Sequence, residues 1–285
     1  MRWQNRRLSD NVEDRRGGGG MRNIGIGGGI GGIIIIVLAL LFNQDPQQAL
    51  QSVQQGTGGA QQTESKTVTN NSDEIARFAS TVLADTEDVW EKLFTEMNKQ
   101  YKDPGMVLYT DNDQSGCGAA QSAMGPFYCP ADEKVYLDLT FFNEMEQRFK
   151  VAGDFAMAYV IAHEVGHHVQ NLLGTSRKVQ AMRSQISERE YNKLSVKLEL
   201  QADFLAGVWA HHAQKMQNIL ETGDIEEALN AASAVGDDAL QKAASGHVVP
   251  DAFTHGTSAQ RMKWFKKGFE TGDVKQGDTF NTTDL

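Results

Sequence analysis

The sequence predicts an α+β fold, predominantly helical, with a small antiparallel sheet and one transmembrane helix ahead of it. Three observations carry this expectation. Apolar residues recur at helical spacing through most of the chain after residue 73. Two short runs, Met106–Thr110 and Lys134–Thr140, are rich in β-formers and bounded by turn signals. Residues 24–42, "IGIGGGIGGIIIIVLALLF", carry no charged side chain.

Residues 24–42 are close to the roughly 20 residues that cross a bilayer core. Arg2, Arg6, Arg7, Arg15, Arg16 and Arg22 precede this stretch, and no arginine follows it closely. The positive-inside rule therefore keeps residues 1–23 in the cytoplasm. The rest is exported through the inner membrane, to the periplasm or the cell exterior. A cleaved signal peptide is the alternative, but no small-x-small site follows Phe42. The glycines between residues 25 and 32 would weaken a water-soluble helix. Inside a membrane they would let two copies pack closely, so a homo-oligomer through this span is expected. "GIGGGIGG" lacks the Lys-Ser/Thr of a phosphate loop.

Residues 43–72 are rich in Gln, Gly, Thr and Ser and read as a disordered tether. Residues 73–270 form the domain, and the polar stretch 271–285 reads as a loose tail. Within the domain, helices are expected at 73–101, 155–173, 187–217, 225–234 and 258–270. Asn71 and Ser72 can cap the first, and "DPG" at 103–105 follows it. Gly174 stops the second. Ser187 with Glu190, and Thr257 with Gln260, have capping-box spacing.

The net charge of −10 leaves no dominant basic patch and excludes nucleic acid as a partner. Cys117 and Cys129 are the two cysteines. In an exported domain they are expected to pair as a disulfide; in the cytosol they would be free thiols. "DNDQSG" at 111–116 begins like a calcium loop, but Ser122 stands where the bidentate Glu belongs.

The chemistry concentrates in "YVIAHEVGHHVQN", residues 159–171. His163 and His167 are four apart, so both imidazoles leave one helix face and can meet one ion. Glu164 sits at the edge of that face, within reach of a water. The H-E-x-x-H pattern is that of a zinc peptidase, with two nitrogen ligands and a carboxylate base. A catalytic zinc needs a third protein ligand. "KLELQADFLAG" offers Glu199, with Asp203 one turn on to hold the free nitrogen of a ligating histidine. The alternative is a pair of ordinary helix carboxylates, which the apolar neighbours disfavour. His168 faces away from the site, and His211 and His212 read as surface residues.

"HEVGH" with a downstream "ELQAD" resembles the glutamate-zincin metallopeptidases. The fuller set, "MRWQ", "GPFYCPADEKVYLDLTFF", "AHEVGHHVQ", "LELQADFLAG" and "HGTSAQR", resembles one bacterial, membrane-anchored family of neutral zinc metallopeptidases. The resemblance covers nearly the whole chain except the tether. It implies a zincin-like fold and one Zn2+ per chain, held by His163, His167 and Glu199. It implies hydrolysis of a peptide or protein by a zinc-activated water, with Glu164 as general base. His255 is the candidate oxyanion donor, since related zincins use a histidine or tyrosine there. Lys134–Thr140 is the candidate sheet edge for a substrate strand. A non-catalytic, zinc-stabilised binding or scaffold domain is the competing reading; it needs the three ligands but not Glu164 as a base.

Overall fold

The computed structural model describes residues 1–16, 70–149 and 151–285. The expected transmembrane helix at 24–42 and the tether as far as residue 69 lie outside the described residues. Among the described residues, no helix is long and apolar enough to cross a membrane.

Helix α1 spans Asn70–Glu96 and buries Phe78, Val82, Leu83, Trp90 and Phe94. It stops short of the expected Tyr101. Asn98 takes a left-handed φ of 56°, and the Lys99 N–H bonds the Phe94 carbonyl at 2.8 Å. This is a Schellman-type ending, which Asn tolerates and most residues do not.

Six strands follow the described chain: β1 Val12–Asp14, β2 Gly105–Tyr109, β3 Asn112–Ser115, β4 Gly118–Gln121, β5 Phe127–Cys129 and β6 Lys134–Asp138. The main sheet has the order β1-β2-β6-β5, and β3 and β4 form a separate antiparallel hairpin. β1, β2 and β6 are parallel, and only β5 runs against its neighbour. The expected antiparallel sheet is therefore corrected to a mixed one. The chain passes through the β3–β4 hairpin and β5 between the two expected strands, so β6, antiparallel to β5, lies parallel to β2, and α1 in the link between β1 and β2 lets those two run parallel as well. β6 has neighbours on both sides, so it is not an edge; the edges are β1 and β5. The predicted disulfide Cys117–Cys129 is present and ties the β3–β4 turn to the end of β5.

The strand expected to reach Thr140 ends at Asp138, and helix α2 runs over Thr140–Phe149. The Asp138 carboxylate accepts from the Thr140 N–H at 2.9 Å and its hydroxyl at 2.8 Å, which caps the new turn. The remaining helices are α3 Asp154–Leu173, α4 Thr175–Met182, α5 Glu188–Gln217, α6 Asp224–Ala234, α7 Asp237–Ser245 and α8 Ser258–Thr271. Short α4 and α7 are additions to the expected set. Both predicted capping boxes form, at Ser187/Glu190 and Thr257/Gln260.

Glycines bring the helices around α5 into backbone contact. A Cβ on Gly207 would lie 2.1 Å from the Phe265 carbonyl oxygen, and one on Gly268 would lie 2.0 Å from that of Phe204. On the other side, a Cβ on Gly166 would meet the Ala202 oxygen at 3.0 Å. Helix α5 is thus pressed between α3 and α8, with residues 199–203 facing both.

Two expectations about the ends are corrected. Residues 1–16, expected as a separate segment, pack on the domain: β1 extends its sheet, and Met1 and Trp3 join its core. The tail is not loose either. Thr279 is fully buried, its hydroxyl donates to the Lys197 carbonyl at 2.6 Å, and Gln201 donates to the Gly277 carbonyl at 2.8 Å. Lys197 of α5 also donates to the Phe280 carbonyl at 2.9 Å, and Val274 and Leu285 pack against the core, so polar and apolar contacts together fix the tail.

Candidate metal centre and active site

His163, Glu164 and His167 sit on α3, all mostly shielded from solvent. The two ligand rings are 4.8 Å apart between centroids and nearly perpendicular, at 89°. Glu199 on α5 faces both: its carboxylate lies 3.2 Å from His163 Nε2 and 3.5 Å from His167 Nε2. One ligand atom from each of the three residues falls within 4.8 Å of the others. The far nitrogen of each ring is engaged. His163 Nδ1 meets Asp203 Oδ1 at 2.8 Å, and His167 Nδ1 meets Gln170 Oε1 at 2.9 Å. Both acceptors draw the ring proton to Nδ1 and leave the Nε2 lone pairs aimed at the common point. Two imidazoles and a carboxylate suit zinc, so the donor set fits the ion.

Asp203 is itself gripped. Arg261 on α8 donates to its two oxygens at 2.8 and 2.9 Å, and the Tyr159 hydroxyl donates to Oδ1. The four groups are buried, and no charge is left alone among them. Burial alone would raise the Asp203 carboxyl, but Arg261 and His163 outweigh it and hold it down to about 2. Gln170 is also fully buried; its amide donates to the Leu198 carbonyl at 2.7 Å and to Gln201 at 3.1 Å.

Glu164 is buried, which pushes its carboxyl up from the ordinary range; the two histidines and the Tyr128 N–H pull the other way. Tyr128 belongs to edge strand β5. Its hydroxyl bonds His168 Nδ1 at 2.9 Å and accepts from Asn171 at 3.2 Å. β5 therefore lies along α3 beside the candidate base. His168 points away from the ligand face as expected, and its Nε2 donates to the Lys102 carbonyl at 2.6 Å.

His255 lies in the loop before α8, near enough to Glu199 for the two charges to act on each other. Its Nδ1 is 3.2 Å from Asp237 Oδ1 at the start of α7. The other Asp237 oxygen accepts the N–H groups of Thr254, His255 and Gly256 at 2.8, 2.6 and 2.9 Å. Asp237 shapes the whole turn that presents the ring.

The structure thus brings His163, Glu164, His167, Glu199 and Asp203 together, with His255 nearby; the Cys117–Cys129 disulfide lies at the end of β5. Sequence reasoning missed Tyr159, Gln170, Arg261 and Asp237. Tyr159 and Gln170 carried a signal, four residues before His163 and three after His167 on the same helix. Arg261 ends the stretch "HGTSAQR" that carries the resemblance, though its contact with Asp203 needs the tertiary packing, and Asp237 carried no signal. His211 and His212, expected at the surface, are half-buried and cap the end of α8, bonding the Phe269 and Gly272 carbonyls at 2.7 and 2.8 Å.

No solved structure matches the chain. It is 51% identical to "Uncharacterized protein YpfJ" of Escherichia coli K12, over 98% of this chain and 99% of the relative. It is 40% identical to "Uncharacterized protein Rv2575" of Mycobacterium tuberculosis, over 73% of each. The profile that matches residues 1–280 spans both the ligand cluster and the packed N-terminal segment, and the chain belongs to the family it describes, "Putative neutral zinc metallopeptidase".

Proposed function

We propose that the protein is a zinc-dependent endopeptidase acting on a peptide or protein. The observation that carries this reading is the convergence of His163 Nε2, His167 Nε2 and the Glu199 carboxylate beside the buried carboxylate of Glu164. One zinc ion per chain, held by those three residues, would supply Lewis acidity that polarises a carbonyl and acidifies water.

The chain's own groups do the rest. Glu164 takes the proton of the attacking water and returns it to the leaving nitrogen; its raised pKa suits a group that must do both. His255, oriented by Asp237, donates to the oxygen on which negative charge develops. Asp203 and Gln170 keep the ligand rings in the tautomer that ligation needs. The unpaired edge of β5 is where an extended substrate adds as a further strand, which replaces the expected edge at Lys134–Thr140.

The test is metal analysis and peptide hydrolysis with the wild type, Glu199→Ala and Glu164→Gln. The wild type should hold about one zinc per chain and Glu199→Ala far less. Glu164→Gln should keep zinc and lose at least ~10²-fold in kcat. Hydrolysis that survives Glu164→Gln would remove Glu164 from the base role. Full zinc with no hydrolysis by the wild type across a diverse peptide library would favour a scaffold over an enzyme.

A further inference from the structure

Residues 1–16 are built into the domain at every level. β1 takes the outer place in the sheet, with Val12, Glu13 and Asp14 in parallel register with Met106, Val107 and Leu108. The Met106 N–H bonds the Asn11 carbonyl and the Arg15 N–H bonds the Leu108 carbonyl, each at 2.8 Å. Trp3 meets Phe78 of α1 edge-on, with centroids 5.5 Å apart. Arg6 pairs with Asp85 at 2.6 Å, and Arg7 pairs with Asp88 at 2.7 Å and Glu87 at 2.9 Å. On the far side of β2, Lys134 of β6 reaches Glu13.

β1, α1 and β2 form one strand–helix–strand unit with parallel strands. In such units the link from strand to helix is commonly about 2–6 residues. Here residues 17–69 occupy that link. They are an insertion into a loop of one domain, not a connector between two bodies, and both ends of the insertion are fixed to the same surface. A chain that leaves and rejoins one body crosses a membrane an even number of times or not at all. The insertion contains one strongly apolar run, residues 24–42, and a single crossing already takes roughly 20 residues.

We infer that residues 1–16 and 70–285 stand on the same side of the inner membrane. The positive-inside expectation, with the arginines in the cytoplasm and the domain exported, requires β1 to leave its sheet. It also requires Trp3 and Met1 to leave the core.

The test is thiol accessibility in the full-length chain in bacterial cells. Leu8→Cys and Val249→Cys place one thiol in the N-terminal segment and one far along the domain, both at exposed positions. Cys117 and Cys129 are bonded to each other, and the parent chain gives the background. A maleimide that cannot cross the inner membrane is applied to intact and to permeabilised cells. The two variants are expected to label alike, both in intact cells or both only after permeabilisation. Labelling of one in intact cells and of the other only after permeabilisation overturns the inference. Asp10→Cys and Asp251→Cys repeat the comparison at independent exposed sites, in case one variant melts below the parent.

Discussion

His163 and His167 stand one turn apart on α3 and aim the same nitrogen at the same point, yet their far sides are held by different chemistry. Behind His163 is an ionic cluster, Asp203 with Arg261 and Tyr159, fully dehydrated. Behind His167 is a neutral amide, Gln170, whose other bonds go to the Leu198 carbonyl and Gln201. Both arms fix the ring and its tautomer. Only the carboxylate arm also makes its imidazole more basic. Dehydrating a carboxylate and a guanidinium costs several kcal/mol per ion, and the fork-like double contact offsets that cost only while both partners are present. One arm thus depends on electrostatics and the other on shape.

The sharpest way to break this contrast is to remove the cation. Arg261→Met leaves Asp203 buried without its guanidinium and is expected to destabilise the fold by about 3–5 kcal/mol, read from the denaturant midpoint. A midpoint equal to the parent's would mean that the cluster is not ionic. Acid titration gives a second reading. Asp203 sits at about 2 when folded, below its ordinary 3.8. A depressed carboxylate stabilises the fold fully above its unfolded pKa, and that contribution is lost as the pH falls from about 4 toward 2. Asp203→Asn should flatten this part of the stability profile.

A smaller effect separates the arms as ligand supports. Changing the group behind a ligating histidine typically costs 10–100-fold in metal affinity. Asp203→Asn is expected near the upper end, because it removes the charge as well as the acceptor. Gln170→Ala should fall nearer ~10-fold, since the ring loses its orientation but no charge. Competition with a chelating dye measures both. Equal losses would show that the charge behind His163 adds nothing beyond orientation.

The ligand face was legible because it is local. Four-residue spacing places His163 over His167 whatever the rest of the fold does, and the same rule places Glu199 over Asp203. The capping boxes were legible for the same reason. What could not be read depends on contacts far apart in the chain. Arg261 reaches Asp203 only because Gly207 and Gly268 let two helices touch backbones. β1 is three residues, "VED", inside an arginine-rich segment, with no alternation to mark it; its pairing with β2 is made by the tertiary fold. The phenylalanines at 141 and 142 imitate a strand, but the Asp138 carboxylate starts a helix there instead.

His255 extends the contrast to a third histidine, held like His163 by a carboxylate but placed outside the ligand set. Burial pulls its pKa down, while Asp237 and Glu199 together push it above the ordinary value. As a donor to a developing oxyanion it must carry its proton. kcat/KM should therefore fall as the pH rises through the His255 pKa. His255→Ala removes the donor and is expected to cost ~10²-fold in kcat. Asp237→Asn is milder. The amide oxygen can still accept the three backbone N–H groups of the turn, so the ring stays in place, but the charge that retains its proton is gone. The alkaline limb should move to lower pH, while the acid limb set by Glu164 and the zinc content stay as in the parent. An unmoved alkaline limb with normal zinc would mean that His255 does not act through its proton, and that Asp237 shapes the turn alone.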